Sequence, residues 1–166
     1  MFSYTPPTDF LRGKTILITG ASDGIGKQCA QTFAQFGAKL ILIGRSQEKL
    51  EALFDEIETD HPNSVYIHPM DFITASADDY SEIAHSIDTE FPALDGIIHS
   101  AGLLGARAPI EHYPDSDWSA VIQTNLTAPF MLTKSLLPAL TRATDARLLF
   151  LSSSVGRKAR AYWGAY

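Results

Sequence analysis

The sequence predicts a doubly wound α/β domain, a parallel sheet with helices on both faces. Short runs of aliphatic and β-branched residues alternate with longer segments whose apolar residues recur at helical spacing, and glycine or proline marks most joins. Alternation of this kind builds βαβ units, whose crossovers are right-handed. The first strand is residues 15–19 (TILIT), bounded by Gly13 and Gly20. Ile25, Cys29, Phe33 and Phe36 then mark the inward face of a helix that Gly37 stops. Residues 40–43 form a second buried strand. Ser46 caps the next helix, with Leu50, Leu53, Phe54 and Ile57 inward. A weaker third strand covers 65–68, and Tyr80, Ile83, Ala84, Ile87 and Phe91 trace the following helix. Residues 96–99 make a fourth strand, 118–137 one long helix stopped by Pro138, and 148–151 a fifth strand that enters Ser152-Ser153-Ser154.

Composition limits the partners. A chain of 166 residues with 45% hydrophobic and 19% charged residues has enough apolar material for one core. Residues 1–166 therefore read as a single domain behind an N-terminal arm, 1–12. The net charge of −6 argues against a nucleic-acid partner, since phosphate binding calls for a basic surplus. Arg142, Arg147, Arg157, Lys158 and Arg160 do cluster late in the chain, which fits a solvated loop or, less simply, a surface for an anionic substrate. The lone cysteine, Cys29, allows no internal disulfide, reads as a small core residue, and fits a reducing, cytoplasmic setting. Residues 1–7 lack the charged and apolar regions of a secretory signal, and no apolar run approaches the ~18 residues of a membrane span.

The chemistry concentrates at the first strand–helix junction, Gly20-Ala21-Ser22-Asp23-Gly24-Ile25-Gly26. Gly20 permits a tight turn, Gly24 lets backbone N–H groups approach a diphosphate, and Gly26 lets helix and strand pack closely. The helix N-terminus adds a partial positive charge facing the anion. The spacing is G-x-x-x-G-x-G rather than G-x-G-x-x-G, so the strand–loop–helix context carries the reading.

Thr19-Gly20-x-x-x-Gly24-Ile25-Gly26 resembles the cofactor fingerprint of the short-chain dehydrogenase/reductase family, and further matches follow in family order. Asp71, with Phe72 beside it, is similar to the family's adenine-contacting aspartate. His99-Ser100-Ala101-Gly102 resembles its Asn-Asn-Ala-Gly segment, with Ser100, Ala101 and Gly102 near the nicotinamide-side ribose. Asn125 matches the helix asparagine, and Ser153 and Tyr166 keep the serine–tyrosine spacing. The resemblance implies a Rossmann-type sheet ordered 3-2-1-4-5 and an oxidoreductase that moves hydride between nicotinamide and a small-molecule carbonyl or alcohol. In that reading Tyr166 is the general acid/base, Ser153 holds the substrate oxygen, and Asn125 positions a water relay. His99 replaces an asparagine and reads as a hydrogen-bonded core residue.

The end of the second strand selects the cofactor. It reads Ile43-Gly44-Arg45-Ser46, without the carboxylate that holds a 2′-hydroxyl. A guanidinium makes forked hydrogen bonds to phosphate, so Arg45, helped by Ser22, predicts NADP(H). The bland alternative places Arg45 in a solvated loop. His61, His68, His85 and His112 lack metal-ligand spacing, so no metal is expected. The G-x-S-x-G elbow and the Walker lysine, signatures of hydrolases and phosphoryl transfer, are also missing.

In the family a lysine follows the catalytic tyrosine by four residues, and its positive charge favours the phenolate of a group that ionises near pH ~10. The sequence ends at Tyr166. The resemblance therefore implies a chain truncated before that lysine, with poor or no NADP(H) binding and no turnover by itself, while a full-length form would be a homo-oligomer. The rival expectation is a non-catalytic nucleotide-binding or interaction protein that retains the half-sheet.

Overall fold

Successive side chains on each strand point to opposite faces, and in this protein helices cover both. The computed structural model describes residues 6–166, so the expected arm 1–12 lies partly outside the described residues. The elements run β1 (Thr15–Thr19), α1 (Gly24–Gln35), β2 (Lys39–Gly44), α2 (Gln47–Asp60), β3 (Val65–Pro69), α3 (Ala77–Glu90), β4 (Gly96–His99), α4 (Asp115–Ile122), α5 (Ala128–Thr141) and β5 (Arg147–Phe150). The sheet is parallel throughout, in the order β3-β2-β1-β4-β5. This is the expected doubly wound Rossmann-type architecture.

One core lies under α3 and α5, where Leu17, Ile41, Ile43 and Ile97 meet Tyr80, Ile83, Ile87, Leu132 and Leu136. The other lies under α1 and α2, where Ile16, Ile18, Leu40, Leu42 and Ile98 meet Ala30, Ala34, Leu50, Leu53 and Ile57. The period-two pattern of β1 is thus split between two layers. Strand order reverses between β1 and β4, and a crevice opens there at the carboxyl ends of the strands.

Two elements differ from expectation. In α1 the buried positions are Gly26, Ala30 and Ala34, while Ile25 is 62% exposed. Small residues let the helix sit close to the sheet, so the bulkier Cys29 and Phe33 pack along its flank. The helix expected over 118–137 begins earlier, is interrupted by a π-helical turn at Gln123–Thr127, and runs past Pro138 to Thr141. Pro138 costs a backbone donor, but it lies on the exposed side while Leu136, Ala139 and Leu140 bury the last turn. In β5, which lies at the sheet edge, Leu148, Leu149 and Phe150 are exposed. Among the described residues no helix is long and apolar enough to cross a membrane.

The α2–β3 connection is fastened by Glu58, whose carboxylate accepts backbone N–H bonds from Asn63, Ser64 and Val65 at 2.5–2.8 Å. Burial pushes this carboxyl up, but the backbone donors outweigh it and hold it below the ordinary glutamate range. Asn63 takes a left-handed conformation (φ 61°) at this turn. Replacing Glu58 with Ala should lower stability by about 1–2 kcal/mol, with Glu58→Gln intermediate. Urea denaturation checks this, and an unchanged midpoint in Glu58→Ala would contradict it.

Candidate functional site

The crevice at the β1–β4 switch holds a cleft of about 570 Å3. Its walls bring together Gly20, Ser22, Asp23, Gly24 and Ile25 from the first loop, Arg45 from the end of β2, Asp71 and Phe72 after β3, and Ser100, Ala101 and Gly102 after β4. Gly26 lies behind this wall. Sequence segments far apart thus converge on one cavity, of a size ordinary for small-molecule sites.

Steric exclusion sets the glycines of the first loop. Gly20 has φ 63°, and a Cβ there would stand 2.8 Å from the Ala101 backbone. A Cβ on Gly26 would lie 2.3 Å from the Gly20 carbonyl oxygen. At Gly24, with φ 52°, a Cβ would meet nothing within 4 Å, so the loop is open on its cleft side. Backbone packed tightly behind and free space in front make a cradle that fits a dinucleotide diphosphate. Thr19 braces it from below: its buried Oγ1 accepts N–H bonds from Ser100 and Ala101, both at 3.1 Å. Sequence reasoning places Thr19 at the head of the glycine fingerprint but misses this brace, although a hydroxyl at a strand end beside the loop was the available signal.

Asp23 caps α1. Its Oδ1 accepts from the Gly24 N–H at 2.8 Å, and its Oδ2 meets Lys49 Nζ at 3.0 Å. Lys49, then the Gly24 N–H, hold the carboxyl below the usual aspartate range. Lys49 also lines the cleft and is absent from the sequence reading. Its position four residues after Arg45, across the start of α2, was the available signal. Ser46 caps α2 as expected, accepting from the Lys49 N–H. At the opposite wall Asp71 Oδ1 accepts from the Ile73 N–H, fixing the turn after β3. The Phe72 ring is buried in the core beneath that turn.

The expected catalytic residues do not themselves line this cleft, although Asn125 bonds Leu103, which does. Asn125 sits in the π-helical turn, a distortion often found at functional sites. Its Oδ1 accepts from the Leu103 N–H and its Nδ2 donates to the Leu103 carbonyl, each at 2.8 Å. The side-chain amide therefore clamps the segment after β4. Ser153 Oγ accepts from the Val155 N–H in the short 3-10 turn Ser154–Gly156. Tyr166 is exposed, with its ring 5.8 Å from that of Trp163. Among the described residues no hydrogen bond joins Asn125, Ser153 and Tyr166. Sequence reasoning also misses Tyr113, whose ring packs against Gly164 and whose hydroxyl packs against Gly105, tying the turn before Tyr166 to the loop after Leu103.

His99 is a buried residue stacked on Phe150, with Nε2 at 2.9 Å from Thr133 Oγ1. That contact matches its expected structural role.

The chain matches the family described as short chain dehydrogenase over residues 14–166. It is 42% identical over 163 residues to the oxidoreductase YciK of Escherichia coli, covering 98% of this chain and 65% of that protein. It is 33% identical over 160 residues to dehydrogenase/reductase SDR family member 7B of Bos taurus, covering 95% of this chain and 49% of that one. A solved short chain dehydrogenase from Escherichia coli, complexed with NADPH, superposes with a TM-score of 0.93 at 43% identity, covering 97% of this chain and 67% of that one. One from Pseudomonas syringae gives 0.95 at 43% identity, covering 100% and 69%. The chain spans about half to two thirds of the length of these curated relatives.

Burial lowers the His99 pKa to about 4, from an ordinary 6.5. The unfolded chain therefore takes up a proton between these values while the folded chain does not, and stability falls as pH drops from 6.5 toward 4. Burial of His68 adds in the same direction. His99→Asn should shrink the loss of unfolding free energy between pH 7 and pH 5 without abolishing it. Equal losses in the two proteins would contradict a buried, neutral His99.

Proposed function

We propose that this chain, which belongs to the short-chain dehydrogenase family, serves an NADP(H)-dependent oxidoreduction of a carbonyl or alcohol substrate. The observation that carries the reading is the end of β2. Arg45 lines the same cleft as the open glycine loop, and no carboxylate stands beside it on that strand end. A carboxylate there would repel a 2′-phosphate, whereas a guanidinium meets it with paired donors. The NADPH-complexed relative supports the same cofactor class.

The residues divide the work along the cleft. The Gly20–Gly26 loop and the α1 N-terminus receive the diphosphate, with Ser22, Asp23 and Ile25 shaping its rim. Arg45 and Ser22 hold the 2′-phosphate. Asp71 and the backbone at Phe72 border the adenine end, and Ser100, Ala101 and Gly102 border the nicotinamide-side ribose. Bound in this way, the cofactor supplies or accepts the hydride. The Tyr166 hydroxyl gives or takes the proton at the substrate oxygen, and the Ser153 hydroxyl holds that oxygen. Asn125 acts chiefly by positioning, since both its amide atoms are engaged with Leu103. A water relay there would use its backbone carbonyl or the remaining lone pair of Oδ1.

Arg45→Asp tests the reading. Titration of each protein with NADPH and with NADH should show a wild-type preference for NADPH that falls by about a hundredfold or inverts in the variant. Equal NADPH/NADH ratios in wild type and Arg45→Asp would overturn it.

A further inference from the structure

The proposed 2′-phosphate end of the cleft contains a second cation already paired with an anion from the diphosphate loop. Lys49 in α2 and Asp23, the N-cap of α1, are 26 positions apart in the chain and meet across the cleft mouth with Nζ–Oδ2 at 3.0 Å. Both line the cavity with Arg45, Ser46 and Ser22. The two oxygens of Asp23 rest on two donors, the Gly24 N–H at the start of α1 and the Lys49 ammonium. Each is the kind of group that binds phosphate. The pair is also exposed, with side chains 58% and 80% accessible, so neither partner is locked in place by packing. An exposed ion pair of this kind is worth little by itself and exchanges partners readily.

We infer that Lys49 is a specificity-determining cation for the 2′-phosphate, and that Asp23 is an internal anion that holds Lys49 across the cleft until the phosphate replaces it. The inference rests on the NADP(H) reading and adds a residue and an exchange to it. A dianionic phosphate draws the ammonium more strongly than a single exposed carboxylate does. Lys49 then joins Arg45, and Asp23 keeps its cap on Gly24. NADH presents only a hydroxyl at this position, so it leaves the Lys49–Asp23 pair intact. Asp23 therefore lowers affinity for both cofactors through its charge near the diphosphate, but it competes for Lys49 only against NADPH.

The experiment measures dissociation constants for NADPH and NADH in wild type, Lys49→Met, Lys49→Arg, Asp23→Asn and the Lys49→Met/Asp23→Asn double variant. Asparagine retains the oxygen that caps Gly24, and Lys49 is exposed, so thermal melting should show all of these proteins folded. Lys49→Met should weaken NADPH about tenfold with little change for NADH, and Lys49→Arg should restore most of the preference. Asp23→Asn should raise the NADPH/NADH preference several-fold, and that gain should largely vanish when Lys49 is already Met. A purely structural role for Lys49 would move both affinities together and leave their ratio unchanged. An NADPH preference lost in Arg45→Asp but unaltered in Lys49→Met would overturn the inference and leave the cofactor reading standing. A gain from Asp23→Asn that persists in full without Lys49 would show that Asp23 does not act by holding the lysine. A wild-type protein that binds both cofactors equally would overturn the reading and the inference together.

Discussion

The tight approach of three backbone segments behind the first loop governs the site. The turn at Gly20 is wedged between the start of α1, through Gly26, and the strand end at Ala101, with clearances that a single methyl group would abolish. Thr19 Oγ1 draws in the Ser100 and Ala101 N–H groups from the same side. Because these segments cannot move apart without losing those bonds, the loop's open side must face the crevice between β1 and β4. The cleft is a consequence of that crowding: its empty front exists because its back is filled.

From this cradle the remaining walls follow by topology. Parallel strands in the order β3-β2-β1-β4-β5 deliver the loops after β2, β3 and β4 to the same edge of the sheet as the glycine loop. Arg45, Asp71 and Ser100 therefore converge although they are far apart in the chain. The catalytic candidates are held differently, by side-chain clamps on irregular backbone. Asn125 in the π-helical turn grips Leu103, and Tyr113 links Gly105 to Gly164. The proposed cofactor end is thus fixed by backbone packing and the proposed substrate end by individual side chains.

That contrast explains what could be read in the sequence. The strands were legible because aliphatic runs between glycines have few alternatives, and the loop's close packing was legible because glycine spacing encodes steric need directly. The inward face of α1 was misjudged because Gly26, Ala30 and Ala34 carry little hydrophobic signal, even though close packing on the sheet selects small residues. The interruption at Gln123–Thr127 and the passage of α5 through Pro138 were hidden, since both depend on tertiary contacts that hold strained or donor-poor backbone in place. Lys49 was overlooked for another reason: its partner Asp23 is remote in sequence, and an ordinary lysine in the first turn of a helix attracts no notice.

The central claim is that the glycine-lined loop and Arg45 together receive one dinucleotide. Backbone amide spectra recorded during NADPH titration test it most directly. The account predicts that the largest shifts fall on residues 20–26 and 45–49, with smaller ones at 71–73 and 100–102. Shifts concentrated elsewhere, for example in the shallow groove between Gln28 and His61, or an unperturbed loop at saturating NADPH, would contradict it.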